Sequence, residues 1–257
     1  AGRVTETDVL RALEGAIEAP GEARRIPVTG MREAIADAMV ESLRYPAQLT
    51  RTARADVTEM VALRDELRRR WGERITYNDL IVKAVALSLR EHPFLNSTLS
   101  DDEIVLLSDI NVGVAVALEE GLIVPVVPMA DEKSVIDIHR QVRDLAERAR
   151  VGTPSVDQVE GGTFTVTNLG AYGVRSFTPI LNQPQVGILG VGGVSREPAV
   201  VGEQVVPRDL VELSLTIDHR VVDGAPGAGF LQTLVGLLEH PALIFASGTN
   251  NQERDEA

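Results

Sequence analysis

No cysteine occurs among the 257 residues. Disulfides, thiolate catalysis and cysteine-ligated zinc or iron–sulfur centres are thereby excluded, so any thiol in the chemistry must arrive on a substrate. Positive charge is also scarce: 25 Lys plus Arg stand against 38 Asp plus Glu, a net charge of −13. That balance disfavours a nucleic-acid backbone or an anionic membrane as the main partner, while leaving room for a local basic patch that holds a phosphorylated cofactor. No run approaches the roughly 18 consecutive apolar residues of a membrane span, and the start AGRVTETDVL lacks the basic-then-apolar layout of a secretory signal. Metal-ligand spacings and a G-x-S-x-G elbow are missing too. The expectation is a soluble cytoplasmic protein. At 44% hydrophobic and 25% charged residues, the composition is that of a globular chain able to bury a sizeable core.

Helical and extended patterns alternate irregularly, without the repeated βαβ unit of a Rossmann sheet or a barrel. Met31, Ile35, Met39 and Leu43 recur every four residues and predict a helix that Pro46 ends. Met60, Leu63 and Leu67, then Leu80 to Leu89, predict two more. DINVGVAVALEEGLIVPVVPM reads as two strands with a turn at Glu119, Glu120 and Gly121. Ser134 caps a helix with Val135, Ile138, Val142 and Leu145 on one face. Thr163 to Asn168, Val186 to Val191 and Leu210 to Ile217 read as strands, and Ala225 to Glu239 as a helix ended by Pro241. The expected product is a mixed α/β domain with at least six strands and four or five helices.

Before it, Thr5 or Thr7 caps a short helix bearing Val9, Leu10 and Leu13, followed by the Ala-, Glu-, Pro- and Gly-rich EGAIEAPGEARR, which reads as a linker. The expected organisation is a module remnant at 1–13, a linker at 14–25, a main domain at 26–247 and a polar, disordered tail at 248–257.

The four histidines are the side chains whose unperturbed pKa suits proton transfer near neutrality. His92 and His240 each precede a proline at a helix end and read as structural or surface groups. His139 falls among Arg and Asp residues and reads as part of a solvated helix face. His219 differs: it ends a strand inside SLTIDHRVVDGAPGAGF, where the chain passes through an Asp-Gly turn into a helix, a junction that suits catalytic display. Asp223, four residues on, can fix the loop through a charged partner or bias the imidazole, and Gly224 allows a sharp backbone turn. His-x-x-x-Asp-Gly alone leaves two readings open, a catalytic base or a structural turn with a packed histidine.

In GGTFTVTNLGAYG, strand periodicity puts Thr163, Thr165 and Thr167 on one face, with Thr167 beside the Gly-rich exit. A hydroxyl there can donate to an oxyanion; spacing alone favours a solvent-facing threonine ladder. GILGVGGVS lacks the third glycine of a dinucleotide loop. Asn96-Ser97-Thr98 is a formal glycosylation sequon that a chain without a signal peptide would not use.

Taken together, PVTGMREAIADAMVESLRYPAQLT, DINVGVAVALEEGLIVPVV, GGTFTVTNLGAYGVRSFTPILNQPQVGILGVG and LSLTIDHRVVDGAPGAGFL resemble, in that order, the acyltransferase (E2) component of the 2-oxo acid dehydrogenase complexes. The resemblance covers about residues 26 to 245, and DHRVVDGA is its most specific block. GRVTETDVLRAL looks like the closing helix of the family's peripheral-subunit-binding domain; the family's lipoyl domain is absent from this chain. The resemblance implies a chloramphenicol acetyltransferase-like mixed β-sheet covered by helices, and a homotrimer with active sites between subunits that can build larger cages through a C-terminal segment such as Leu243, Ile244 and Phe245. It implies acyl transfer between dihydrolipoamide and coenzyme A, with acetyl or branched-chain groups favoured, and with the lipoyl group carried on the missing domain. Decarboxylase (E1) and dihydrolipoamide dehydrogenase (E3) components are the implied partners. His219 matches the family's general base, Asp223 its supporting carboxylate, and Thr167 stands where the family has an oxyanion-stabilising serine. A chloramphenicol-type O-acetyltransferase and a non-catalytic trimeric scaffold are the alternatives.

Overall fold

The computed structural model describes residues 26–118, 121–151, 155 and 158–246. The segments expected to be a module remnant, a linker and a polar tail lie outside the described residues. Among the described residues no helix is long and apolar enough to cross a membrane.

The four-residue apolar repeat forms helix α1 (Met31–Arg44). Its stripe finds no core in the single chain: Met31 is 49% and Leu43 59% exposed, and the buried residue is Ser42, whose hydroxyl donates to the Leu181 carbonyl at 2.7 Å. After strand β1 (Gln48–Asp56), helix α2 (Thr58–Trp71) ends at Gly72, whose φ of 71° supplies the left-handed cap. Helix α3 (Tyr77–Glu91) starts with a capping box in which Asp79 accepts from the Thr76 amide at 2.6 Å. It is apolar nearly all round, and Asp79 through Leu89 are buried without a break, so it serves as the central helix.

Beyond the hairpin β2 (Ser97–Ser100) and β3 (Glu103–Leu106), the expected pair of strands is instead four short ones: β4 (Val112–Val114), β5 (Val116–Ala117), β6 (Leu122–Ile123) and β7 (Val126–Val127). The ladder breaks because Pro125 has no N–H to give, and the Ala115 amide turns to the Val166 carbonyl at 2.9 Å. Helix α4 (Val135–Arg150) is capped by Ser134 as expected, its hydroxyl accepting from the Asp137 amide. Strands β8 (Phe164–Asn168), β9 (Gly187–Val191), β10 (Ser195–Val201) and β11 (Gln204–Asp218) precede α5 (Gly224–Glu239) and the short α6 (Ala242–Ala246).

The main sheet runs β1-β11-β9-β8-β4-β7, with β10 paired to the first half of β11. The β9/β8 and β8/β4 pairs are parallel and the rest antiparallel, giving the expected mixed sheet. Alternation divides its faces. Phe164 and Val166 turn toward the helices, where the Phe164 ring lies 5.6 Å from that of Phe230 on α5. Thr163, Thr165 and Thr167 turn the other way, but not into solvent: Thr163 is 6% and Thr165 1% exposed. The threonine-ladder expectation is corrected here, because the segment carrying Phe177, Pro179 and Leu181 crosses this face, and the Phe177 ring and Pro179 pack over Gly190. Thr165 donates to Gln185 at 2.6 Å. The Gly187–Val191 glycines thus serve close packing in a buried strand, where a Cβ on Gly187 would strike the Phe164 ring at 2.6 Å. Asn96 is 2% exposed and donates to the Leu107 and Asp109 carbonyls, so its sequon is structural.

Candidate active site

His219 follows the last residue of β11. Asp218, 3% exposed, turns its carboxylate back on the loop, accepting from the Ala47 amide at 3.1 Å, the Arg220 amide at 3.0 Å and the Arg220 guanidinium at 2.7 Å. Burial alone would raise the Asp218 carboxyl pKa, but these hydrogen bonds and the Arg220 charge outweigh it and hold the pKa below the ordinary value. The Val221 and Val222 amides donate to the Asp218 carbonyl, and the His219 amide donates to Ala47 at 2.9 Å. The backbone is thereby fixed while the imidazole, 42% exposed, projects outward. Asp218 and Arg220 were not singled out from sequence, although a charge pair at i and i+2 flanking a strand end was there to be read.

Asp223 is 3.9 Å from His219 Nδ1 and 85% exposed, which is charge proximity rather than a hydrogen bond. Its backbone caps α5. Gly224 is needed for a different reason than a sharp turn: its φ is not in the left-handed region, and a Cβ there would strike Arg51 Nη2. Arg51 carried no sequence signal, since its contact lies far away along the chain.

Thr167 is half-buried on the threonine face, and its hydroxyl makes no hydrogen bond among the described residues. Its neighbour Asn168 is held at both ends, donating to Asn78 at 2.6 Å and accepting from the Gly170 amide at 2.7 Å. Register then fixes the relation to His219. Thr167 pairs with Gly190 on β9, and Gly190 with Ser214 on β11. His219 lies five residues beyond Ser214, about 16 Å along the strand, with two strand spacings, about 10 Å, between the rows. The structure does not bring the two groups together within one chain.

The other histidines divide. His139 is not on a solvated face: it is 5% exposed, and its Nδ1 lies 2.9 Å from Asp79 Oδ2. The helical pattern could not show that α4 packs this position against the N-terminus of α3. His92 is structural as expected, though its Nε2 meets the Thr233 hydroxyl at 2.9 Å instead of a helix carbonyl. His240 is a surface residue, 68% exposed.

The family model described as 2-oxoacid dehydrogenases acyltransferase (catalytic domain) matches residues 20–246. The chain belongs to this family. One curated relative, the dihydrolipoyllysine-residue acetyltransferase component of the acetoin cleaving system of Bacillus subtilis, is 41% identical over 95% of this chain. The chain spans 64% of that relative's length. Two solved structures superpose with a TM-score of 0.84, each over 88% of this chain and 95% of its own. One, 35% identical, concerns the role of a serine, a histidine and an asparagine in the catalytic mechanism of Azotobacter vinelandii dihydrolipoamide acetyltransferase. Those three residues are separated by 52 and 4 positions, the separations of Thr167, His219 and Asp223 here. The other, 34% identical, is the cubic core of a pyruvate dehydrogenase multienzyme complex.

Proposed function

We propose that this acyltransferase domain moves an acyl group between dihydrolipoamide and coenzyme A, as the core component of a 2-oxo acid dehydrogenase complex in the cytoplasm. The observation that carries the reading is the placement of Thr167, His219 and Asp223 at the separations found in the Azotobacter enzyme, on the same fold. A thiol of pKa about 8.5 is mostly protonated at neutral pH and attacks poorly without a base. The His219 imidazole takes the proton from the thiol of coenzyme A as the sulfur bonds to the thioester carbonyl carbon of acyl-dihydrolipoamide. Charge accumulates on the carbonyl oxygen, where the free Thr167 hydroxyl donates to it more strongly than to the ground-state carbonyl. Collapse breaks the bond to the lipoyl sulfur, which recovers the proton from the imidazolium. One thioester and one thiol enter and one of each leaves. Asp223 stabilises the transient imidazolium by charge.

The separation of Thr167 from His219 within one chain supports a site between subunits, in which each subunit supplies one of the two groups. Ile26, Val28 and Tyr45, exposed beside the bare stripe of α1, support a homotrimer that covers them. Cage formation would use Leu243 and Phe245, 50% and 40% exposed; Ile244 is 1% exposed and belongs to the chain's own core, which removes it from the expected docking segment. Acetyl is the acyl group this reading takes, in line with the Bacillus relative; acetyl-, succinyl- and isobutyryl-coenzyme A compared in the reverse direction test that choice. The lipoyl domain, the decarboxylase and the dihydrolipoamide dehydrogenase are its partners.

Complementation tests the shared site. His219→Ala and Thr167→Ala homotrimers should each be nearly inactive. Unfolded and refolded together, they should form interfaces that pair an intact His219 with an intact Thr167 and recover a measurable share of the wild-type rate. Mixed trimers verified by mass but no more active than their parents would overturn the arrangement.

A further inference from the structure

The main sheet ends at β1, and one side of that strand has no strand partner among the described residues. Two hydrogen bonds fix which backbone groups face the open side. The His219 amide donates to the Ala47 carbonyl, so the odd-numbered residues of β1 turn their amides and carbonyls toward β11. The Asp56 amide donates the other way, to Glu239 on α5 at 3.1 Å, so the even-numbered residues face outward. The backbone groups of Thr50, Thr52 and Arg54 therefore point out of the sheet, and none has a hydrogen-bond partner among the described residues. A row of unmet amides and carbonyls is a template for another strand.

A groove of about 590 Å³ runs between this edge and α5. Four consecutive strand residues, 51–54, line one wall. Side chains alternate between the faces of a strand, so a run of neighbours in one wall means that the backbone edge itself faces the groove. The other wall is a stripe of α5 that includes Ala228, Leu231, Val235 and Gly236, at i, i+3, i+7 and i+8. Arg51 marks the end nearer the start of α5. Its guanidinium lies against Gly224, where an added Cβ would strike Nη2, and its Nε is buried without a hydrogen-bond partner. Arg54 is paired with Glu197 and Glu212, whereas Arg51 has no carboxylate partner among the described residues. A half-buried guanidinium with an unmet nitrogen is costly unless an anion meets the part that faces the groove.

We propose that this groove takes an extended, acidic peptide segment of a partner protein, which adds as a strand to the open edge of β1 and sets a carboxylate on Arg51. Its backbone pairs with Thr50, Thr52 and Arg54, and alternate side chains reach α5. Same-face residues of a strand lie about 6.8 Å apart, so a residue two positions from the carboxylate faces the apolar stripe. A helix does not fit this edge, because its own backbone groups are already paired. A second copy does not fit either, since two β1 edges side by side crowd the arginines of both strands into one short ribbon, which like-charge repulsion opposes. The net charge of −13 gives an acidic segment no attraction at long range, so its affinity rests on backbone pairing and on the one guanidinium.

Titration of the full chain with the N-acetylated, C-amidated peptide Thr-Val-Thr-Glu-Thr-Val-Thr, followed by calorimetry, tests the site. Saturable binding is expected. The peptide with Gln in place of Glu should bind about tenfold more weakly, and Arg51→Gln should weaken the Glu peptide by a similar factor while leaving the Gln peptide unaffected. N-methylation of alternate peptide amides, in the phase that faces β1, should abolish binding. Thr52→Pro should do the same, because it removes an outward amide at an edge position, where proline is tolerated. Unchanged thermal unfolding shows that a variant folds; if Thr52→Pro does not, Val235→Glu, which sets a like charge in the groove, takes its place. No saturable binding at millimolar peptide, or binding indifferent to both N-methylation and Arg51→Gln, would overturn the proposal. So would a peptide that drives the chain to a smaller sedimenting species, which would show that a second copy covers the edge. The binding readout needs no turnover, so a failure of acyl transfer and a failure of this site are distinguishable.

Discussion

Two histidine–aspartate pairs occur in this chain, and the tighter one is not where the acyl-transfer reading puts the chemistry. His139 and Asp79 meet at 2.9 Å, both almost wholly buried, with Asp79 further held by Thr76. His219 and Asp223 stand 3.9 Å apart at the surface. A short, buried contact orders an imidazole but shuts it away from a reacting atom, whereas a general base needs access to one. The loop around His219 is ordered by other means, through Asp218, Arg220 and Ala47, and so leaves the imidazole reachable. Pair distance alone selects His139, which the acyl-transfer reading does not use.

The sharpest way to break this comparison is to remove each ring in turn. His219→Ala should lower acyl transfer by roughly 10² to 10⁴-fold with thermal unfolding unchanged; activity within a few fold of wild type would remove His219 from the mechanism. Thr167→Ala should lower kcat by about 10² to 10³-fold and Thr167→Ser should keep most of it, while a fully active Thr167→Val would show that the hydroxyl has no role. His139→Ala should act on stability, costing about 1–3 kcal/mol in denaturant unfolding by stripping one partner from the buried Asp79. An unchanged unfolding midpoint would mean that the inner pair is not holding α3 to α4.

The smallest effect belongs to Asp218 and is read in acid. Its carboxyl pKa is held below the ordinary value, so the stability it lends is present above the unfolded-chain pKa of about 3.9 and is lost as pH falls through the lower folded value. Asp218→Asn should therefore flatten the acid limb of the stability–pH curve and leave its slope near neutrality alone. Identical acid limbs in the two proteins would show that the Arg220 and Ala47 contacts contribute nothing net.

Much of this was legible because it is local. The four-residue apolar repeat of α1, the Ser134 cap of α4, the alternation of Phe164 to Thr167 and the passage from strand to helix around His219 each sit within a single window of sequence, where backbone period and capping chemistry act. The same windows misjudged what covers those elements. Met31 and Leu43 carry an apolar pattern yet stay exposed in the single chain, and Thr163 and Thr165 carry a polar pattern yet are buried beneath the segment that includes Phe177. Burial is decided by what packs on top, and neither partner is a sequence neighbour.

The amino-acid sequence by itself determined the element types, the exclusion of enzyme thiol chemistry and the residue types able to move a proton or hold an oxyanion, since these follow from side-chain chemistry and short-range periodicity. Only the tertiary structure decided that His139 is enclosed while His219 is open, that Gly224 is small to admit Arg51, and that Thr167 and His219, each at the C-terminal end of its strand, stand at opposite ends of the sheet. Strand order and register across β8, β9 and β11 set those relations, through hydrogen bonds between residues tens of positions apart that no local pattern encodes.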